Sequence, residues 1–179
     1  MRWANDKSRM KITKVKKVTK GQRGFTLIEL LIAIVIAGLI TGGITFAIMQ
    51  ILTINTRASN HMVAVRQVQQ AGKEVSKDTL QAQSVNASAG PDVLVALNWT
   101  EWGTNNTHGI IYSLPGNGEL RREHYGNSTL DLTTVVAEYI SSASFVQLPG
   151  GVAYNFTVTA TVGDQSETRV YEVEPRPGS

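Results

Sequence analysis

The sequence predicts an α+β protein, a lollipop in which one long N-terminal helix packs on a C-terminal antiparallel β-sheet head. The helix would span a membrane with its first half and be amphipathic in its second. Three observations predict this. The twenty residues from Leu30 to Met49 carry no charge, and at ~1.5 Å per residue in a helix they would reach about one hydrocarbon thickness. From Ile51 to Thr79, apolar or small residues recur three or four apart, the period of a helix with one buried stripe. Beyond Pro91 the period falls to two, the period of strands with one buried face.

The chain begins with a strongly basic leader, residues 1–24, which holds nine lysines and arginines against a single acid, Asp6. Residues 25–179 hold eight basic and thirteen acidic groups, so the sequence pI of 9.3 is set by the leader. Once the leader is gone the chain is acidic, which argues against a nucleic-acid partner. The apolar half, residues 25–49, is longer than the ~7–15 residues of a secretory core, and no small-residue cleavage site follows it. Basic residues cluster before it, so the positive-inside rule places the N-terminus in the cytoplasm and the remainder outside. A plain single-span anchor would share these features. It would not explain Glu29, a single carboxylate where hydrocarbon is expected, since a charge deep in a bilayer costs about 2.5–3.5 kcal/mol on insertion scales.

Residues 50–85 form the amphipathic half. Its stripe is Ile51, Ile54, Ala58, Met62, Val65, Val68, Gly72, Val75 and Thr79, with Arg57, Arg66, Lys73 and Lys77 among the residues between. No proline occurs between Phe25 and Gly90, so a nearly continuous helix over 25–85 is expected, ended by the turn formers of Asn86 to Pro91. In the head, residues 86–179, alternation marks Val93 to Trp99, Ile110 to Leu114 and, most strictly, Val152 to Val162. Turns are expected at 115–118, 126–128, 149–151 and 163–164. Leu132, Val135, Val136, Tyr139 and Ile140 keep helical spacing, which predicts a short helix interrupting the sheet. The sheet alone makes a thin core, and its natural cover is the stripe of the long helix.

The run Gly24-Phe25-Thr26-Leu27-Ile28-Glu29, followed by Leu30-Leu31-Ile32-Ala33-Ile34, resembles the N-terminal signal of type IV prepilins and pseudopilins. The resemblance is close over about thirty residues, and the helix-plus-sheet order fits the family's architecture less specifically. It implies that a membrane-bound prepilin peptidase cuts between Gly24 and Phe25 and that the new amine of Phe25 is methylated. The apolar helix would rest in lipid as a single-pass anchor of the cytoplasmic membrane. It would then become the core of a pilus-like or type II secretion-like filament at the cell surface or in the periplasm. Implied partners are the peptidase, an inner-membrane assembly platform and other pilin or pseudopilin subunits, with Glu29 docking the incoming subunit through a neighbour's N-terminal amine. A minor or tip pilin whose head binds DNA, a surface or a secreted substrate is the alternative. Many major pilins carry a proline where this chain has Phe46, many close a C-terminal disulfide loop, and the shortest leaders of the family are shorter than 24 residues. The absence of cysteine and the other two departures favour a pseudopilin or minor pilin. Gly42 and Gly43, poor helix formers side by side, should stretch on assembly, while Gly38 and Gly42 at a spacing of four would let helices approach closely.

Other chemistries find little support. Without cysteine there is no disulfide, thiolate metal site or cysteine nucleophile. His61, His108 and His124 are not spaced with carboxylates as metal ligands and read as surface residues. Asp164, Ser166 and Glu167 read as a solvated hairpin, and no phosphate-cradling glycine motif occurs. No cofactor, metal site or enzymatic activity is expected. Arg121-Arg122 beside His124 and Tyr125 is the one basic–aromatic patch, thin support for DNA capture. At least one of Trp99 and Trp102 should pack into the core. Asn86, Asn98, Asn105, Asn127 and Asn155 begin N-x-[ST] sequons, more than the one or two expected of this composition.

Overall fold

A computed structural model describes residues 24–87, 90 and 92–176; leader residues 1–23 and the expected turn residues Ser88, Ala89 and Pro91 lie outside the described residues. Among the described residues the elements are one α-helix, α1 (Leu27–Gln81), and eight strands: β1 (Ser84–Asn86), β2 (Val93–Thr100), β3 (Thr107–Ser113), β4 (Leu120–Gly126), β5 (Thr129–Ala137), β6 (Ile140–Gln147), β7 (Tyr154–Val162) and β8 (Gln165–Val173). The α+β architecture expected from the periodicities is therefore present.

The chain divides into two compact units between Phe46 and Ala47. In the first, every described residue is exposed. Tertiary packing does not hold this stretch of α1, whose hydrogen bonds lie within the segment as a lipid environment demands. The hydroxyls follow the same rule: Thr41 donates to the Ala37 carbonyl at 2.8 Å and Thr45 to that of Thr41 at 2.9 Å. The helix runs through Gly42 and Gly43 without a break.

The second unit holds two antiparallel meanders, β1-β2-β3-β4-β5 and β6-β7-β8. Each turn has its chemistry. The β4–β5 hairpin turns on Asn127 and Ser128, both at positive φ (48° and 68°), the primed geometry that matches strand twist. The β7–β8 turn places Gly163 first, at φ 56°. In β7, Tyr154, Phe156, Val158 and Ala160 are buried while the residues between them are not, as the alternation predicts.

The C-terminal part of α1 closes this core with Ala64, Val68, Ala71 and Val75, and Ala82, just beyond it, joins them. Two contacts fix it. Gly72 lets the ring of Tyr171 on β8 lie directly against the helix: a Cβ at position 72 would sit 2.1 Å from the ring, whose hydroxyl donates to the Val68 carbonyl at 3.1 Å. Gly72→Ala is expected to cost about 1–3 kcal/mol by overpacking. Equilibrium unfolding of the full chain, repeated with Tyr171→Ala added, checks this. The double variant should be less destabilised than the sum of the singles, and strict additivity would remove the close approach as the cause. The second contact is polar. Asp78, buried on the same face, accepts from the Tyr112 hydroxyl at 2.5 Å and from Arg122 Nε at 2.7 Å.

Three expectations are corrected. The stripe is buried only from Ala64 onward; Ile51, Ile54, Ala58 and Met62 are exposed. The helix stops at Gln81 rather than 85 because the sheet captures the chain. Gln83 N–H donates to the Asn98 carbonyl at 2.9 Å, and Ser84 to Asn86 pair with β2. No helix interrupts the sheet over 132–140. Residues 132–137 belong to β5 and Ile140 opens β6, which suits the β-branched run Thr133-Thr134-Val135-Val136. The misleading spacing comes from a bulge that buries Val136 beside Ala137, and from a two-residue crossing between the sheets, Glu138-Tyr139, with Tyr139 at φ 59°.

Candidate functional site

Residues Gly24 to Glu29, which resemble a prepilin signal, lie at the N-terminal end of α1. Thr26 stands just before the first helical residue and is its N-cap: the Glu29 N–H donates to Thr26 Oγ1 at 3.3 Å, and the Leu30 N–H donates to the Thr26 carbonyl at 3.1 Å. Thr26-Leu27-Ile28-Glu29 thus has the spacing of a capping box, with Glu29 at the third helical position. A carboxylate in the first turn also faces the positive end of the helix dipole, a favourable term of about 0.3–1 kcal/mol. Beyond this, the Glu29 carboxylate makes no hydrogen bond or ion pair among the described residues.

Among the described residues, a Cβ added at Gly24 meets nothing within 4 Å, and the same is true of Gly38, Gly42 and Gly43. Phe25 is likewise 83% exposed. The helix that follows is long and apolar enough to cross a membrane, with a mean hydropathy of 2.5 over its most apolar window. The site therefore offers an accessible glycine–phenylalanine bond, a capped helix start bearing one carboxylate, and an uncharged helical surface with no partner among the described residues.

The secondary candidates are redistributed by the fold. Arg122 is held by Asp78, and Arg121 by Glu119 at 2.8 Å, so the basic–aromatic patch is neutralised. Burial alone would lower the pKa of Arg122, but the hydrogen bonds and charge of Asp78 outweigh it and hold it above its ordinary value. His61 is exposed on α1, but His108 and His124 are half-buried rather than superficial. Their rings stack with Trp99: Trp99 and His108 have centroids 5.3 Å apart, His108 and His124 5.5 Å, and His124 Nδ1 lies 3.3 Å from Asp131. Trp99 is the tryptophan that packs on the core; Trp102 is exposed. Asp78 escaped the sequence reading. Its signal was a carboxylate three residues beyond Val75 on the buried stripe.

The comparisons bear on the same end of the chain. Residues 19–45 match the family model of the prokaryotic N-terminal methylation motif, so the chain carries a prepilin-type signal, that of type IV pilin-like and pseudopilin precursors. Comparison with curated proteins and with solved structures returned no match. The signal and the apolar helix fit a single-pass membrane anchor.

Proposed function

We propose that this chain is the precursor of a structural subunit of a type IV pilus-like or type II secretion-like filament. Prepilin peptidase cuts between Gly24 and Phe25, the amine of Phe25 is methylated, and the apolar part of α1 passes from lipid into the filament core. The N-terminus begins in the cytoplasm and the head lies outside. The observation that carries this reading is the unpartnered apolar helix, which starts at a capped end with Glu29 and follows an accessible Gly24. An apolar surface with no intramolecular cover needs lipid or like helices. Glu29 gives the second environment a specific use. An ammonium and a carboxylate that are each costly in hydrocarbon gain by meeting, and residues 25 and 29 are one helical turn apart. Assembly on the inner-membrane platform exchanges an intramolecular partner for the amine of a neighbouring subunit.

Mass spectrometry of material from the native host tests the processing. The mature chain is expected to begin at Phe25 and to carry one added methyl group on its amine; recovery of mature material that still begins at Met1 would sink the reading. A second reading, a minor or tip subunit whose head binds a ligand, is favoured by one observation: a hollow without lysine, arginine, aspartate or glutamate on the five-stranded sheet, lined by residues such as Asn98, His108, Gly109 and Tyr125.

A further inference from the structure

Asn98, Gly109 and Tyr125 are successive cross-strand partners on β2, β3 and β4, so they form one row across the sheet. The row faces away from α1, because the alternate residues Leu97, Ile110 and Tyr112 are buried in the core and Tyr112 bonds to Asp78 on the helix. Gly109 makes the row a hollow. A Cβ there would lie 3.1 Å from Asn98 Oδ1 and 3.6 Å from the Cβ of Tyr125, so the missing side chain leaves a floor between two walls. The space is about 620 Å³, within the usual range of small-molecule sites.

Its chemistry narrows the occupant. Lysine, arginine, aspartate and glutamate are all missing from its lining. Phosphate-bearing chains and acidic ligands are held by cations, so nucleic acid and anionic polymers are poorly matched. β3 lies between β2 and β4, with its backbone groups taken up in the sheet, so a peptide cannot bind here by adding a strand. A purely apolar ligand would strand the amide of Asn98 and the hydroxyls of Thr100 and Thr107.

What remains is a ligand with an apolar face and a periphery of neutral hydroxyls. Ala96 and Ile111 offer the apolar floor. The carboxamide of Asn98 is exposed and has no hydrogen-bond partner among the described residues. Gln83 is pre-set, with its Oε1 accepting from the Thr100 N–H at 3.0 Å and its Nε2 donating to the Thr100 carbonyl at 3.4 Å. Tyr125 is fixed by its hydroxyl, which donates to Glu123 at 2.8 Å; that bond, above all, raises the phenol's pKa and keeps it neutral. A second hollow shares Gln83 and Thr100 and is lined by Trp102, 96% exposed, and by Glu101, whose carboxylate accepts from the Thr104 hydroxyl at 2.7 Å. Two aromatic surfaces therefore border a run of hydrogen-bonding groups that are neutral except for Glu101.

We propose that this face of the head binds a neutral oligosaccharide, lying over Gly109 and reaching towards Trp102. The proposal rests on the reading of the head as a binding module and not on filament assembly. The test uses the full chain in a zwitterionic detergent without a sugar headgroup, applied to an array of immobilised neutral, sialylated and sulfated oligosaccharides, with hits titrated in solution. Binding confined to neutral glycans is expected, weakened at least tenfold by Gly109→Ala, which fills the floor, and by Asn98→Ala, with thermal unfolding unchanged. A silent array, binding confined to anionic glycans, or affinity untouched by Gly109→Ala would overturn it. The measurement is made on unassembled protein, so its failure leaves the filament reading intact, and a failure of assembly leaves the measurement intact.

Discussion

Replacing Arg122 with methionine is expected to destabilise the head by about 3–5 kcal/mol, because it leaves the Asp78 carboxylate buried without its countercharge. The Asp78 side chain is only 3% exposed, whereas that of Arg122 is 21% exposed and borders a solvent-open recess beside Gln70 and Glu74. The two partners are therefore not equivalent. Asp78→Leu frees a guanidinium that can turn to water and should cost less than Arg122→Met, and the pair Asp78→Leu/Arg122→Met should recover much of the loss by replacing ions with apolar bulk. Thermal unfolding of the full chain in detergent reads this as a fall of roughly 10–20 °C for Arg122→Met, with the double variant well above it. If the double variant melts below both singles, the ion pair is not the source of the loss. Tyr112 adds a pH arm. Burial first, then the charge of Asp78 and the hydrogen bond to it, push its phenol far above the usual range. The folded state holds that proton more tightly than the unfolded chain does. The stabilisation is therefore whole below the ordinary tyrosine value, about 10, and is lost as the pH rises beyond it. Tyr112→Phe should flatten the alkaline limb of the unfolding curve, measured between pH 9 and 11.

What could be read from the sequence follows from where each interaction is made. The signal around Gly24 was legible because it is a short contiguous run of residue types, and the matched segment, residues 19–45, needs no folded context to be read. The strand over Tyr154–Val162 was legible because one face is buried along its length and period two records that directly. The Asp78–Arg122 pair was not, since its members lie 44 residues apart and a carboxylate in a helix with many polar neighbours reads as solvated. The Leu132–Ile140 segment misled because its bulge breaks the alternation just where a crossing between sheets begins. The Asn98–Gly109–Tyr125 row was hidden for a third reason. It exists only in the pairing register, and along the sequence its members look like an isolated amide, a strand glycine and an aromatic beside two arginines.

Glu29→Ala is expected to leave cleavage and methylation intact while lowering recovery in sheared filaments by about two orders of magnitude. That figure is the equilibrium equivalent of the ~2.5–3.5 kcal/mol penalty for a lone charge in hydrocarbon. A second use for the same residue is not separated from docking by this variant alone. Glu29 sits at the third position of a helix capped by Thr26, the capping-box position at which a glutamate or glutamine side chain can support the start of a helix. Glu29→Gln divides the two. Glutamine serves the capping box as glutamate does, but it carries no charge to pair with a neighbour's amine. If charge pairing drives docking, Gln and Ala should both be poorly incorporated and Glu29→Asp should be intermediate. If helix capping is what matters, Gln should assemble at wild-type levels, and that result would refute the docking role. Mass spectrometry of the membrane fraction must show the same mature N-terminus at Phe25 for all three variants, so that lost assembly is not mistaken for lost processing. Near the mature end the carboxylate has three sources of compensation: the first turn of its own helix, the amine of its own Phe25, and a positive charge brought by another chain. The glutamine variant removes every charge-dependent contribution while keeping a side chain that fits the capping-box position.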